Sequence, residues 1–207
     1  MGHQQITVKT TKLNVLCLGN SITHHPPLKG DLPGADSLWR GDWGMCASRP
    51  ELDYVQLLEE MLRQYNVSST CARKNIWEWE KDFSIDKDSL FGNDCTGKDI
   101  IILKIGENVN TDKEDQYAKA FDDLVAYCQN YTPNVIIAGN YWKAIHKEQA
   151  MISAARKYRL PHVPLFWIYE NYHDKVIAHV GDTVYDTRMQ PHPINQSLSA
   201  LILTTRA

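Results

Sequence analysis

The sequence predicts an α/β protein in which helices cover both faces of a parallel sheet, as a three-layer α/β/α sandwich. Three observations support this fold class. Short apolar runs of strand length recur along the chain, segments with helical periodicity alternate with them, and several of the runs end at a glycine. The chain contains no internal repeat, low-complexity tract or linker, so we expect a single domain over residues 1–207.

Five runs predict the strands. The first, Leu13–Leu18, is almost uniformly apolar and is followed by Gly19, as expected of a buried parallel strand. The run Asp99–Ile105 is the clearest strand in the chain and precedes Gly106. The other strands are predicted over residues 67–77, 134–139 and 162–168.

The helices are predicted from capping signals and from the spacing of apolar residues. Ser48–Glu51 and Thr111–Glu114 each match a capping box, in which the first and fourth side chains bond free N–H groups at a helix start. Further helices are predicted over residues 147–158 and 195–204. Apolar side chains recur at helical spacing after each box: Leu52, Val55, Leu58, Leu62 and Tyr65 after the first, and Tyr117, Phe121, Leu124 and Cys128 after the second.

Composition narrows the functional class. The formal net charge of -3 argues against a general nucleic-acid or membrane-surface binder, since those proteins usually carry a basic excess. No apolar run approaches the roughly 20 residues that a membrane span requires. No signal peptide is visible, which leaves a cytoplasmic protein or an exported one whose leader is absent from this chain. Cys17 and Cys128 fall at apolar positions, where we expect buried free thiols.

Functional residues are expected where the strands end, because ligands of such sheets bind beyond the carboxyl ends of the strands. Those positions lie just after Leu18, Ile105, Gly139 and Ile168. A Gly/Pro-rich loop over residues 24–47 follows the first of them, and a loop this long is typical of a functional segment.

Three residues near these ends fit nucleophilic catalysis. Ser21 is the candidate nucleophile, and His192, which lies between two prolines, is the candidate base that would take its proton. The backbone N–H of Ser21 and the side-chain amide of Asn108 are candidate donors to a tetrahedral oxyanion. The structural alternative for Ser21 is a turn serine that hydrogen-bonds its own loop.

These segments resemble those of a known family. Gly19–Thr23 resembles the first block of the SGNH (GDSL-like) hydrolases, Gly106–Asn108 resembles their asparagine block, and His192–Pro193 resembles their C-terminal histidine block, in matching order along nearly the whole chain. The resemblance implies a flavodoxin-like sheet and ester hydrolysis without a metal or other cofactor. It implies a small-molecule or carbohydrate ester as the partner of the site.

The substrate class follows from the resemblance alone. A small acyl ester of a carbohydrate, such as an acetyl ester, is the preferred expectation, and a lipase-type or thioesterase-type substrate is the alternative. Residues 43–55 also resemble members from gut bacteria that are associated with carbohydrate esters.

Two positions depart from the family pattern. Met189 stands where the family places an aspartate that orients the histidine. Asp186 or Asp182 is the candidate replacement, and a backbone carbonyl would instead leave a Ser–His dyad. The glycine that follows the second strand in the family, an oxyanion donor, has no counterpart between Asn75 and Trp79. A catalytically inactive carbohydrate-binding protein is therefore the second hypothesis.

The remaining candidates concern substrate binding. We expect Asn20, Trp43 and Trp142 to contribute to the substrate site, because aromatic faces stack on sugars or hold acyl groups, with loop packing as the alternative role of the tryptophans. His24 and His25 are alternative candidates for the base, or for metal ligands together with His192, although a doubled histidine in a polar loop is usually solvated.

Overall fold

The computed structural model describes residues 12–27, 41–45, 47, 49–65, 68–168 and 170–171, together with the backbone of residues 179–180 and 183–184. The strands are β1 (Lys12–Gly19), β2 (Ser68–Asn75), β3 (Ile100–Lys104), β4 (Val135–Ala138), β5 (His162–Val163), β6 (His179–Val180) and β7 (Thr183–Val184). The α-helices are α1 (Tyr54–Gln64), α2 (Trp77–Lys81), α3 (Asn93–Cys95), α4 (Glu114–Gln129) and α5 (Ile145–Tyr158). Short 3₁₀ turns span Pro50–Leu52 and Thr111–Lys113, and a π-helical turn spans Asp88–Gly92.

Five of the strands form one parallel sheet in the order β2-β1-β3-β4-β5. This order is the flavodoxin-like arrangement, so the predicted fold class is confirmed. Gly19 at the end of β1 pairs in register with Asn75 of β2 and with Lys104 of β3. The carboxyl ends of these three strands therefore meet at one edge, and β1 lies between the other two.

The core consists of one apolar layer on each face of the sheet. Strand side chains alternate between the layers: Leu16 and Leu18 pack with α4 and α5, whereas Val15 and Cys17 pack with α1. The first layer takes up the apolar face predicted for α4, since Tyr117, Phe121, Leu124 and Cys128 are all buried. Burial on both faces explains why the strands have continuous apolar sequences.

The capping box predicted at Thr111–Glu114 is wrong, and α1 begins later than the box at Ser48–Glu51 predicts. Pro50 opens a 3₁₀ turn, and α1 then begins after Asp53, whose side chain caps no helix N–H group. Thr111 likewise begins a 3₁₀ turn, and α4 follows Lys113 without a side-chain cap. In both places a tight turn comes directly before the first α-helical turn. Ser48 lies outside the described residues.

Other differences concern the limits of elements. Tyr65, predicted on the inner face of α1, is 67% exposed because the helix has ended at Gln64. The fifth strand stops at Val163, and residues 166–168 are helical. The helices between Trp77 and Cys95 and the antiparallel pair β6–β7 were not predicted. The helix predicted over residues 195–204 lies outside the described residues.

Within the described part of the chain, no helix combines the length and apolar character needed to cross a membrane.

Candidate active site

Ser21 lies in a tight turn directly after β1. The backbone oxygen of Asn20 accepts hydrogen bonds from the N–H groups of Thr23 (2.9 Å) and His24 (3.1 Å), and the Asn20 side-chain oxygen accepts from the N–H of Ile22 (3.1 Å). The residue before the turn, Gly19, must lack a side chain, because a Cβ at this position would clash with the Thr23 hydroxyl oxygen. Close packing, more than backbone freedom, therefore requires this glycine.

The Ser21 hydroxyl is half-buried and makes no hydrogen bond to any described residue. The backbone oxygen of Ser21 accepts from the N–H of Met45 (2.8 Å), so the turn is anchored through its main chain. A purely structural turn serine would bond its own loop, and this contact is absent among the described residues.

Asn108 lies in the loop that follows β3. This loop starts at Gly106, whose φ of +132° favours glycine and whose hypothetical Cβ would lie 2.7 Å from the Tyr117 hydroxyl. The backbone oxygens of Asn108 and Val109 accept hydrogen bonds from Lys81 Nζ (2.8 Å) and Lys147 Nζ (3.4 Å). Burial lowers the pKa of Lys147 from its ordinary value. Two lysines therefore hold the backbone of this loop.

Glu80 of α2 joins the two loops. Its side chain is fully buried. Oε1 accepts from the backbone N–H groups of Gly106 (2.8 Å) and Asn108 (3.0 Å) and from Asn20 Nδ2 (3.2 Å), and Oε2 accepts from Asn108 Nδ2 (2.7 Å). All four partners are N–H donors, which match a carboxylate that only accepts. The contacts bring the turn of Ser21 and the loop of Asn108 together.

A second carboxylate completes this polar cluster. Glu107 Oε2 accepts from Asn20 Nδ2 (2.9 Å), and Glu107 Oε1 forms an ion pair with Lys104 at the end of β3. The Lys104 and Glu107 side chains are 1% and 3% exposed. Asn20, predicted to contribute to substrate binding, is itself fully buried, and both ends of its amide contact protein groups.

The opposite side of the turn is supported from β2 and α1. Asp53 forms an ion pair with Arg73 of β2, and the Tyr54 and Thr23 hydroxyls are hydrogen-bonded at 2.8 Å. Burial raises the pKa of Asp53 to about 6, although the neighbouring Arg73 lowers it. Burial likewise raises the pKa of the Cys17 thiol, which lies beneath this region.

Residues 75–77, where the SGNH pattern would place a glycine, form hydrogen bonds with the Ser21 turn and with one another. The N–H of Ile76 donates to the Gly19 oxygen (2.7 Å), and the N–H of Trp77 donates to Asn75 Oδ1 (2.9 Å). Asn75 Nδ2 donates to the His24 oxygen (2.8 Å). These contacts hold the Ser21 turn against β2.

The two predicted substrate tryptophans occupy different settings. Trp43 is half-buried, and its indole N–H donates to the Ala47 oxygen (2.8 Å) within the long loop. Trp142 packs edge-on against Tyr141, with ring centroids 5.6 Å apart. Together with Ile145 and Phe166 it lines an apolar cavity of about 160 Å³.

The remaining candidates are placed only in part. His24 Nε2 lies 3.0 Å from Asp42 Oδ1, and His25 Nδ1 lies 2.6 Å from the Pro26 oxygen. Among the described residues no group of three or more His, Cys, Asp or Glu side chains is arranged to hold a metal ion. His192, Asp186, Asp182 and Met189 lie outside the described residues.

Glu80 and Lys104 were missed by the sequence analysis. A signal for Glu80 was present, because Ile76, Trp79, Glu80 and Phe83 have the spacing of one helical face. A carboxylate on such a face indicates a buried acid with polar partners. Lys104 gave a similar signal, because it is a charged residue within the otherwise apolar run over residues 100–105.

No protein-family model matches the chain, and no curated protein is a significant sequence match. The fold is similar to that of several solved structures. The acetyl xylan esterase AlAXEase has a TM-score of 0.59 at 13% identity, covering 94% of this chain and 100% of that one. TesA has a TM-score of 0.57 at 11% identity, covering 93% and 96% of the two chains. An Axe2 variant, an acetyl xylan esterase from Geobacillus stearothermophilus, has a TM-score of 0.52 at 12% identity, covering 93% of each chain.

These likenesses extend over nearly the whole chain at low sequence identity, and they therefore establish the fold. It is a three-layer α/β/α fold with the flavodoxin-like sheet order that the resemblance of the three sequence blocks implies.

Proposed function

We propose that this protein hydrolyses a carboxylic ester through an acyl-enzyme on Ser21. The observation that carries the proposal is that two loops meet at the carboxyl ends of β1 and β3. The turn of Ser21, whose hydroxyl makes no hydrogen bond to a described residue, and the loop of Asn108 are held together by Asn20 and Glu80. The solved structures of similar fold, which include acetyl xylan esterases, support the same class of reaction.

The first half of the proposed reaction transfers the acyl group to the protein. Ser21 Oγ attacks the ester carbonyl carbon while its proton passes to a base, the role that we assign to His192. The carbonyl oxygen becomes an oxyanion, which the Ser21 N–H and the Asn108 amide stabilise by hydrogen bonds. Collapse of this intermediate breaks the bond to the alcohol, and the alcohol leaves with the proton held by the base.

The second half releases the acid. A water molecule gives its proton to the same base and attacks the acyl carbon, which forms a second oxyanion in the same position. When the bond to Ser21 Oγ breaks, the serine recovers the proton and the carboxylic acid departs. Water is the only co-reactant, so the net reaction is hydrolysis of one ester to one acid and one alcohol.

For the substrate we propose a small acyl ester of a carbohydrate. The support is the sequence resemblance of residues 43–55 and the fold likeness to acetyl xylan esterases. Trp43 and Trp142 are the proposed aromatic contacts of the sugar or acyl group.

The second candidate is a carbohydrate-binding protein without catalysis. One observation favours it: the N–H groups of Ile76 and Trp77, which follow the second strand, donate to protein oxygens and not to an oxyanion. An active enzyme would then rely on the Ser21 N–H and the Asn108 amide alone.

Hydrolysis of p-nitrophenyl acetate and release of acetate from acetylated xylo-oligosaccharide test both candidates. We expect Ser21→Ala to lower kcat/KM at least about 10³-fold. The control Ser84→Ala removes an exposed turn hydroxyl and is expected to leave kcat/KM unchanged. Equal rates for wild type and Ser21→Ala would favour the binding protein. Activity on p-nitrophenyl acetate without acetate release would refute the carbohydrate substrate alone.

A further inference from the structure

We infer that Glu80 is a positioning residue for the oxyanion site, acting through the orientation of the Asn108 amide. The inference rests on the proposed function, because it concerns how the same site holds its charge-stabilising donor. It assigns a role to a carboxylate that neither transfers a proton nor touches substrate in the proposed reaction.

The Asn108 amide needs a partner that fixes its orientation. An amide side chain turns about its last bond and can present either oxygen or nitrogen on a given side. The short contact from Asn108 Nδ2 to Glu80 Oε2 (2.7 Å) fixes the nitrogen end. It uses one of the two amide hydrogens and leaves the other for the substrate. Asn108 is exposed, so few packing contacts would otherwise restrain it.

Glu80 is itself held rigidly. It is fully buried on α2, and its Oε1 accepts from Gly106, Asn108 and Asn20 at 2.8, 3.0 and 3.2 Å. These bonds come from both loops of the site, so one carboxylate sets their relative position. A buried acceptor with all its bonds satisfied is the kind of support that holds a functional group within tenths of an ångström.

The negative charge of Glu80 has an effect opposite to that of its hydrogen bond to Asn108. A carboxylate close to a developing oxyanion raises the energy of that oxyanion, since like charges repel. By orienting the Asn108 amide towards the oxyanion, Glu80 also lowers the energy of that oxyanion. The two effects have opposite signs, so a variant that removes the charge and the acceptor together shows which is larger.

Glu80→Gln is the informative variant. Its remaining oxygen can still accept from Gly106, Asn108 and Asn20, whereas its new NH₂ group faces the NH₂ group of Asn108. Asn108 must then turn its oxygen towards residue 80, which misdirects the donor. We expect kcat to fall about 10- to 100-fold, part of the 10²- to 10³-fold loss for deleting an oxyanion donor, with KM changed less than about threefold.

A double-mutant cycle with Asn108→Ala separates positioning from general damage. If Glu80 acts through Asn108, then Glu80→Gln lowers kcat less than about threefold in the Asn108→Ala background. Titration of active sites with a phosphonate corrects each rate for unfolded protein. Glu60→Gln, on the exposed face of α1, is the matched control and is expected to retain wild-type kcat. If Glu80→Gln does not fold, Glu80→Asp takes its place, because the shorter side chain loses the same contact.

The outcomes are distinct. Losses in kcat that multiply in the double variant would overturn the positioning role, as would an increase in kcat for Glu80→Gln, which would show that charge repulsion dominates. Either result leaves the proposed function intact if Ser21→Ala is inactive. Undiminished activity of Ser21→Ala would instead overturn the proposed function, and the role of Glu80 with it.

Discussion

Two buried ion pairs lie on opposite sides of the turn that carries Ser21. Lys104 and Glu107 lie on the β3 side, with side chains 1% and 3% exposed, whereas Arg73 and Asp53 lie on the β2 side, 21% and 0% exposed. Glu107 has a second donor in Asn20 Nδ2. Asp53, in contrast, has a pKa raised to about 6 because burial outweighs the attraction of Arg73.

The difference shows that the contribution of a buried ion pair depends on the groups around it. On the β3 side, cation, carboxylate and amide form a connected network that ends at Glu80 and Asn108, and the network orders the candidate catalytic loops. On the β2 side the arginine is partly solvated, and burial raises the pKa of the Asp53 carboxyl to about 6. The first pair orders the loops of the candidate site, whereas the contribution of the second pair to stability depends on pH.

The largest expected effect comes from breaking the β3 pair. Lys104→Met leaves the Glu107 carboxylate buried without a cation, which should lower the free energy of unfolding by about 3–5 kcal/mol. Denaturant titration measures this loss. Lys119→Met, at an exposed position of α4, is the control and should change stability by less than about 0.5 kcal/mol. A loss no larger than that of the control would show that Lys104 does not stabilise the network.

The double variant Lys104→Met with Glu107→Gln sharpens this test. It removes both charges, so most of the lost stability should return. Failure to recover would mean that the lysine contributes through packing and not through its charge.

The second prediction concerns the pH dependence of the β2 pair. Below pH 3.8 Asp53 is protonated in both the folded and the unfolded chain, and between 3.8 and about 6 only the folded chain keeps the proton. The stability gained from that proton is therefore complete below this window. It is lost as pH rises through it, by up to about 3 kcal/mol.

Asp53→Asn removes this titration. The free energy of unfolding of wild type relative to Asp53→Asn should therefore fall as pH rises from 3.8 to about 6. Asp115→Asn, at an exposed position of α4, is the control and should show little difference. A relative stability of wild type that increases with pH would contradict the account, because it would mean that Arg73 outweighs burial.

The smallest expected effect on stability comes from Trp43 in the long loop. Trp43→Phe keeps an aromatic ring in the long loop but removes the hydrogen bond to the Ala47 oxygen, at a cost of about 1 kcal/mol. Trp77→Phe, at a 45% exposed position, is the matched control for thermal unfolding. Equal stability of both variants would show that the Trp43 hydrogen bond adds nothing to the loop.

The sequence predicted the sheet because its strands are buried on both faces and so appear as continuous apolar runs, as over residues 100–103. It also placed Ser21 and Asn108 at one edge, because parallel strand ends converge there. It failed at helix starts, where a capping box and a 3₁₀ turn share the same residues. It also failed at Glu80, because nothing local shows that its four donors come from two other loops.

The most direct test of the central claim is covalent labelling of the nucleophile. Wild-type protein treated with an electrophilic p-nitrophenyl phosphonate should gain one label per chain, and peptide mapping should place it on Ser21. Ser21→Ala should gain none, whereas Ser84→Ala should label like wild type. A label on another residue, or labelling undiminished in Ser21→Ala, would contradict the assignment of Ser21 as nucleophile.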